Sequence, residues 1–436
     1  MKSKSQEGIY YHDNSLLKKN SPYPNRVNVL QNKSFGVIFL KVSRHSKASQ
    51  VAKSLAKLWR MYKSLKLGMV EDLPGCHVPS GRLTTLIGYG ENIFKLDEAK
   101  KRIPIDFEGK QFLASPKGGE PILKGSGITY SKDMHENVGI TEDIIIQFIA
   151  DTQLAVYRAI VESWKILDFV NGEPLHFTKF YTGFRRDDGR SWLGFHDEVS
   201  NMNNAKEREE AIYVDVVNNR LLPRDFWTAR GTYLCFLRTA IDLEIWHKLE
   251  RMQQELIIGR DKLTGYPVVG VDKYRNPITT GGRSIAQQGR LHGKKFLDHP
   301  DYFKMPNQSS AYQGRLDVPT SLKVLNQTHI GRTRHITKVR SSNPSSRRIF
   351  RQGFEFLEST QNDLARPITA GLNFVSFQND PGRLFFILTD PHWLGKVNFG
   401  GDQDDANMAK LLSVLAAGVF FVPKLEKPFP GAKIFI

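Results

Sequence analysis

The order of its apolar segments constrains this chain more than any other feature. Phe35–Val42 reads FGVIFLKV, rich in β-branched and aromatic residues, which suits a buried strand. A Ser/His/Lys turn follows. Then Val51, Leu55, Leu58, Trp59, Tyr62 and Leu65 recur at helical spacing and fall on one helix face. Leu83–Tyr89 (LTTLIGY) reads as a second strand and Asp143–Ala150 (DIIIQFIA) as a third. Leu154–Leu167 reads as a helix carrying Val156, Ile160, Trp164 and Leu167. This β-α-β…β-α order is the outline of a ferredoxin-like unit.

The same grammar returns later. Gly231–Leu237 (GTYLCFL) predicts a strand, and Ala240–Leu256 a helix containing Trp246. Gly371–Phe377 (GLNFVSF) predicts another strand, Ala409–Leu415 a helix, and a last strand lies near Phe420. The expected fold class is therefore α+β, with two ferredoxin-like units and antiparallel sheets. Residues 1–33 read as a polar, loosely ordered N-terminal extension. Residues 34–205 form the N-terminal unit and 206–436 the C-terminal unit. Residues 259–327, rich in Gly, Pro and Lys, read as an insertion in the second unit.

Composition narrows the classes. A 40% hydrophobic share with 11% aromatic residues suits a large core and excludes global disorder. Lys and Arg number 62 against 45 Asp and Glu, a net charge of +17 that favours anionic partners. The excess clusters at residues 41–66, 282–295 and 332–351; its plain alternative is a solubilising surface. Two cysteines, Cys76 and Cys235, allow at most one disulfide and give no metal-ligand spacing. Met1–Leu17 has no apolar signal core, and the run Leu411–Val422 is too short to span a bilayer. The expectation is a cytoplasmic protein without a membrane segment.

Three segments carry chemistry. GFHDEVSN places Asp197 in a tight turn between apolar residues; taken alone, it is a capping Asp in a surface turn. Thr328–Phe356 holds His329 and His335 in a basic loop, followed by RRIFRQG. A neutral imidazole offers a lone pair to iron, although a histidine among arginines is more often a surface residue. Gly371–Phe386 (GLNFVSFQNDPGRLFF) is an apolar strand, a turn, and further aromatics, and alone it is plain core.

Together these pieces resemble the dye-decolorizing peroxidases. That family's GxxDG motif corresponds to Gly194-Phe195-His196-Asp197-Glu198, and its GGTYL strand to Arg230-Gly231-Thr232-Tyr233-Leu234. An H-[IV]-x-R element appears as His329-Ile330-Gly331-Arg332, and R-[IL]-x-R as Arg348-Ile349-Phe350-Arg351. The GLxFxxFQxDP stretch is Gly371–Pro381. All five stand in the family's order. Glu198 and Arg230 stand where the family has glycine. His329, in THIGRT, matches the ligand motif more closely than His335, in RHITKV.

The resemblance implies haem b bound between the sheet and helices of the C-terminal unit, in a fold of the dimeric α/β-barrel type. It implies His329 as the iron ligand, with His335 as the alternative. Asp197 would carry the proton of hydrogen peroxide and Arg351 would supply a fixed cation. Leu372, Phe374 and Phe377 would wall the pocket. The implied substrates are hydrogen peroxide and a bulky aromatic donor, anionic donors being favoured by the basic surface, with a surface residue such as Trp393 relaying electrons. A homo-oligomer is compatible with all of this. Two other classes compete. One is a haem carrier or sensor without turnover. The other is a basic RNA-binding protein, because Lys33–Phe39 (KSFGVIF) echoes an RNA-recognition strand.

Overall fold

In a computed structural model, the described residues are 5–9, 33–104, 123–124, 127–128, 140–168, 172–196, 201–202, 205–215, 221–262, 265, 268–271, 277–279, 282–283, 348–360, 367–388 and 411–436. Eight long strands dominate: β1 (Ser34–Val42), β2 (Thr84–Tyr89), β3 (Ile144–Ala150), β4 (Leu175–Phe184), β5 (Thr232–Ile241), β6 (Phe350–Ser359), β7 (Ile368–Gln378) and β8 (Leu412–Val422). Their order is β2-β3-β1-β4-β6-β7-β5-β8, and every named neighbour is antiparallel. β8 also meets β2 at Phe421↔Tyr89, so the sheet closes on itself.

Closure gives two apolar faces. Phe35, Val37 and Phe39 of β1 point inward with Leu234 and Phe236 of β5, Phe350 and Phe354 of β6, and Phe420 of β8. Outside, helix α1 (Ala48–Lys66) lays Val51, Leu55, Leu58 and Tyr62 onto the sheet, as the helical spacing predicts. Helix α2 (Gln153–Asp168) adds Val156, Ala159 and Ile160. β3 has both faces covered, hence its unbroken run of isoleucines. Because Phe35 and Phe39 are buried inside the barrel, β1 offers no aromatic platform for stacking RNA bases.

The two halves meet at thin seams. β6 touches β4 at one rung, Glu355↔Phe184. A buried polar pair reinforces this joint. Arg238 Nη1 donates to Asn373 Oδ1 at 2.7 Å, and Asn373 Nδ2 donates to the Thr182 carbonyl at 2.8 Å. At the second seam, the Gln6 side chain accepts from Ile87 N at 2.9 Å. It donates to the Ile87 carbonyl at 2.9 Å and to the Pro423 carbonyl at 2.8 Å.

Residues 5–9 are thus buried, against the expectation of a loose extension over 1–33. Polarity misleads there because these groups answer backbone groups that a closing barrel leaves unpaired. Gln6→Leu, which fills the space but strands the Ile87 N–H and two carbonyls, is expected to cost about 1–3 kcal/mol in denaturant unfolding. An unchanged midpoint would show that the seam does not depend on this amide.

Three other expectations change. Ala409–Leu415 is no helix where it is described: Leu412 onward is strand, paired with β5 along its length, with a register shift between Val414 and Ala416. Tertiary pairing overrides alanine's helical preference. Ala240–Leu256 is not one helix either. β5 runs to Ile241, Asp242 caps helix α4 (Leu243–His247) by accepting from Ile245 N at 2.9 Å, and α5 (Arg251–Ile258) follows. β4 and β6 lie in stretches that gave no clear strand signal. No helix among the described residues is long and apolar enough to cross a membrane.

Candidate active site on the outer face of the barrel

Strand register sorts the site residues. Paired residues on antiparallel neighbours share a face, with Cβ atoms about 4.5–5.5 Å apart. One outer row runs Arg351, Ser376, Cys235, Val419 across β6, β7, β5 and β8. The next is Gly353, Phe374, Leu237, Ala417, and the third Glu355, Leu372, Thr239, Val414. Arg351, Leu372 and Phe374 therefore occupy one face. Phe377 does not. It pairs with Phe350 and Leu234 and is fully buried in the barrel interior. The strand alternates, so residues 372 and 374 share a side and 377 takes the other.

Arg351 is held by its main chain and left open at its side chain. Asn201 Nδ2 donates to the Arg351 carbonyl at 2.7 Å, and Arg351 N donates to Asn201 Oδ1 at 3.3 Å. The amide supplies the rung that β4 does not. Arg348, in the same motif, is engaged: its Nη1 donates to Glu207 of helix α3 (Ala205–Ile212) at 3.0 Å. Arg383 Nη1 donates to the Arg348 carbonyl at 3.1 Å, and burial pushes the Arg383 guanidinium down to about 10. No described carboxylate pairs with the half-buried Arg351 guanidinium.

Polar atoms on this face are also open. Among the described residues, nothing hydrogen-bonds the fully buried Ser376 hydroxyl or either amide atom of Gln378. Farther along the Arg351 row, burial raises the Cys235 thiol well above its ordinary value, which keeps it protonated and unreactive.

Asp197 lies outside the described residues, as do Glu198, His329, His335 and Trp393. His196 before Asp197 and Asn201 beyond it are described. Asn201 binds the Arg351 main chain. Before Asp197, His196 forms a β-bridge with Arg190, and its Nε2 lies 3.0 Å from Arg190 Nη2. Arg190 Nη1 donates to the Gly194 carbonyl at 2.8 Å and also to the Lys262 carbonyl. Gly194 has φ +84°, the left-handed region, and a Cβ there would sit 2.4 Å from Lys262 Cε. That backbone conformation favours glycine.

Lys262 is a residue that sequence reasoning missed. Its Nζ lies 5.6 Å from the Phe195 ring centre and 5.9 Å from that of Trp246, and it donates to Gln254 Oε1 at 2.5 Å. Burial, with Arg251 and Arg190 pushing the same way against Glu255, lowers its ammonium to about 8 from 10.5. Between those values the unfolded chain holds a proton that the folded chain has released, so stability rises with pH across that window. Relative to Lys262→Met, the unaltered protein should therefore gain stability from about pH 8 to about pH 10 in denaturant midpoints. A constant difference would contradict the burial of this charge.

Arg230, a departure from the family pattern, has φ +68°, where glycine is favoured. Its guanidinium lies 4.5 Å from the Tyr213 ring centre, a contact that offsets the backbone cost.

The fold is an α+β barrel of ferredoxin-like units whose outer face presents an arginine with no described carboxylate partner beside an apolar shelf. The sequence profile for the C-terminal part of Dyp-type peroxidases matches residues 188–427, more than half of the chain. The chain belongs to the Dyp-type peroxidases, haem-dependent oxidoreductases that act on peroxide. No curated protein matches its sequence. Among solved structures, the Dyp-type peroxidase of Streptomyces coelicolor is 17% identical with a TM-score of 0.61, over 99% of this chain and 95% of that one. Ferric DtpA of Streptomyces lividans is 18% identical with a TM-score of 0.61, over 99% and 98%. A Dyp-type peroxidase of Cellulomonas bogoriensis is 16% identical with a TM-score of 0.58, over 94% and 95%.

The described residues suit haem. Leu237, Leu372 and Phe374 form an apolar shelf, Gly353 adds no side chain to it, and the Ser376 hydroxyl, with no partner among the described residues, lies beside it.

Proposed function

We propose that this chain reduces hydrogen peroxide and oxidises bulky aromatic donors at a haem b lying on this outer face. One observation carries the reading. The Arg351 guanidinium, with no carboxylate partner among the described residues, shares a face with Leu372 and Phe374, while Asn201, four residues past Asp197, grips its main chain. Arg351 is thereby held at one end of the shelf.

Bound haem supplies the iron at which the O–O bond is cleaved and the oxidising equivalents are held. Asp197 takes the proton from one peroxide oxygen and returns it to the other, which leaves as water. Arg351, charged at every working pH, stabilises the negative charge that develops as the bond breaks. His329 would hold the haem iron, with His335 as the alternative. Leu372 and Phe374 exclude water from the reacting oxygens. The boundary near residue 205 separates the two units, and two unpaired cysteines fit a cytoplasmic setting. The net charge of +17 favours anionic donors.

The test is to load the protein with haem, add hydrogen peroxide and a sulfonated anthraquinone dye, and follow bleaching. Bleaching that requires both haem and peroxide is expected. Haem bound without bleaching would leave a carrier.

A further inference from the structure

We propose that Ser376 is a specificity-determining residue of the peroxide site, its hydroxyl accepting the second O–H of hydrogen peroxide. The inference rests on the peroxidase reading above. Ser376 faces Arg351 directly across the β6–β7 ladder, on the outer face of the barrel. Ser376 is 0% exposed, and its hydroxyl has no hydrogen-bond partner among the described residues. A buried hydroxyl without a partner costs stability, so an unanswered one beside an arginine with no described carboxylate partner marks a place that a ligand completes.

The chemistry selects the ligand. Neutral hydrogen peroxide carries two O–H donors. A guanidinium offers donors only and can accept neither. A carboxylate at Asp197 accepts one. The other needs an uncharged acceptor beside Arg351, and among the described residues facing Arg351 the Ser376 hydroxyl meets that need. The same hydroxyl donates to the peroxide oxygen once its proton has gone. An alkyl hydroperoxide has no second O–H and gains nothing from this acceptor. Ser376 therefore favours hydrogen peroxide over its alkyl analogues, because a group placed for a substrate O–H discriminates against the analogue that lacks it.

Ser376→Ala separates this idea from a structural role. In the haem-loaded protein, kcat/KM for hydrogen peroxide is expected to fall about 3–10-fold, the size of one neutral hydrogen bond. That for ethyl hydroperoxide is expected to change less than about twofold, so the ratio between the two peroxides shifts. Ser376→Thr, which restores a hydroxyl, is expected to restore the ratio. In the haem-free full chain, Ser376→Ala is expected to raise Tm by about 1–3 °C, because an unpaired buried hydroxyl is removed.

An unchanged ratio, with unaltered protein that turns over and Arg351→Leu that does not, overturns the proposal and leaves the peroxidase reading standing. A lowered Tm also overturns it, by showing that the hydroxyl already has a structural partner. Unaltered protein that takes up no haem would instead refute the peroxidase reading itself.

Discussion

Arg351→Leu lowers kcat/KM for hydrogen peroxide by about 100-fold or more while the protein still folds and takes up haem. The magnitude follows from the work assigned to this side chain. A preorganised cation in a pocket stabilises charge that appears only as the O–O bond breaks, so its loss falls on the transition state. The fold should not suffer, because the guanidinium pairs with no described carboxylate and the main chain keeps its Asn201 bonds. Leucine also matches the apolar shelf beside it. Arg351→Lys keeps the charge but loses the fork of donors, and should recover only part of the rate. Stopped-flow reduction of peroxide, with haem occupancy read from absorbance, tests all three points. A loss below tenfold in the leucine variant would remove Arg351 from the chemistry.

Exchange of the histidines has the second large effect. His329→Ala should abolish stable haem retention or move the Soret band, and turnover should fall with it. His335→Ala should leave the spectrum and the rate nearly intact. An axial ligand binds iron directly, so its removal should exceed the roughly 10–100-fold loss that follows removal of an outer-shell partner. Added imidazole should partly restore the spectrum of the ligand variant and do nothing for the other. The reverse pattern would assign the ligand to His335. Normal spectra in both single variants would place the ligand elsewhere in the chain.

Much of this was legible in the sequence, for identifiable reasons. β1, β2, β3, β5 and β7 announce themselves because one or both faces are buried, so apolar residues accumulate in runs. β4 does not, since His176, Thr178, Phe180 and Phe184 are exposed and its inward positions are only half covered. The site's charged residue was legible through its motif, but the face each residue takes depends on register. Phe377 lies three residues past Phe374, and an odd step along a strand reverses the side. Asn201, Ser376 and Lys262 were hidden for another reason. Each depends on a neighbour distant in sequence, Arg351 for Asn201 and Ser376 and Gly194 for Lys262, and no local pattern encodes that placement. Gln6 misled most, because a polar segment buried by a barrel looks in sequence like one left in water.

The position of Gln6 matters beyond the strength of its bonds. Where β2 and β8 part, the Ile87 N–H and C=O would otherwise stand open along a strand edge. An exposed edge of that kind is a template for a strand from another chain. Residues 5–9 therefore act as a guard against edge-to-edge association. A chain shortened past residue 9 would show its defect first as aggregation on standing, before any loss of intrinsic turnover.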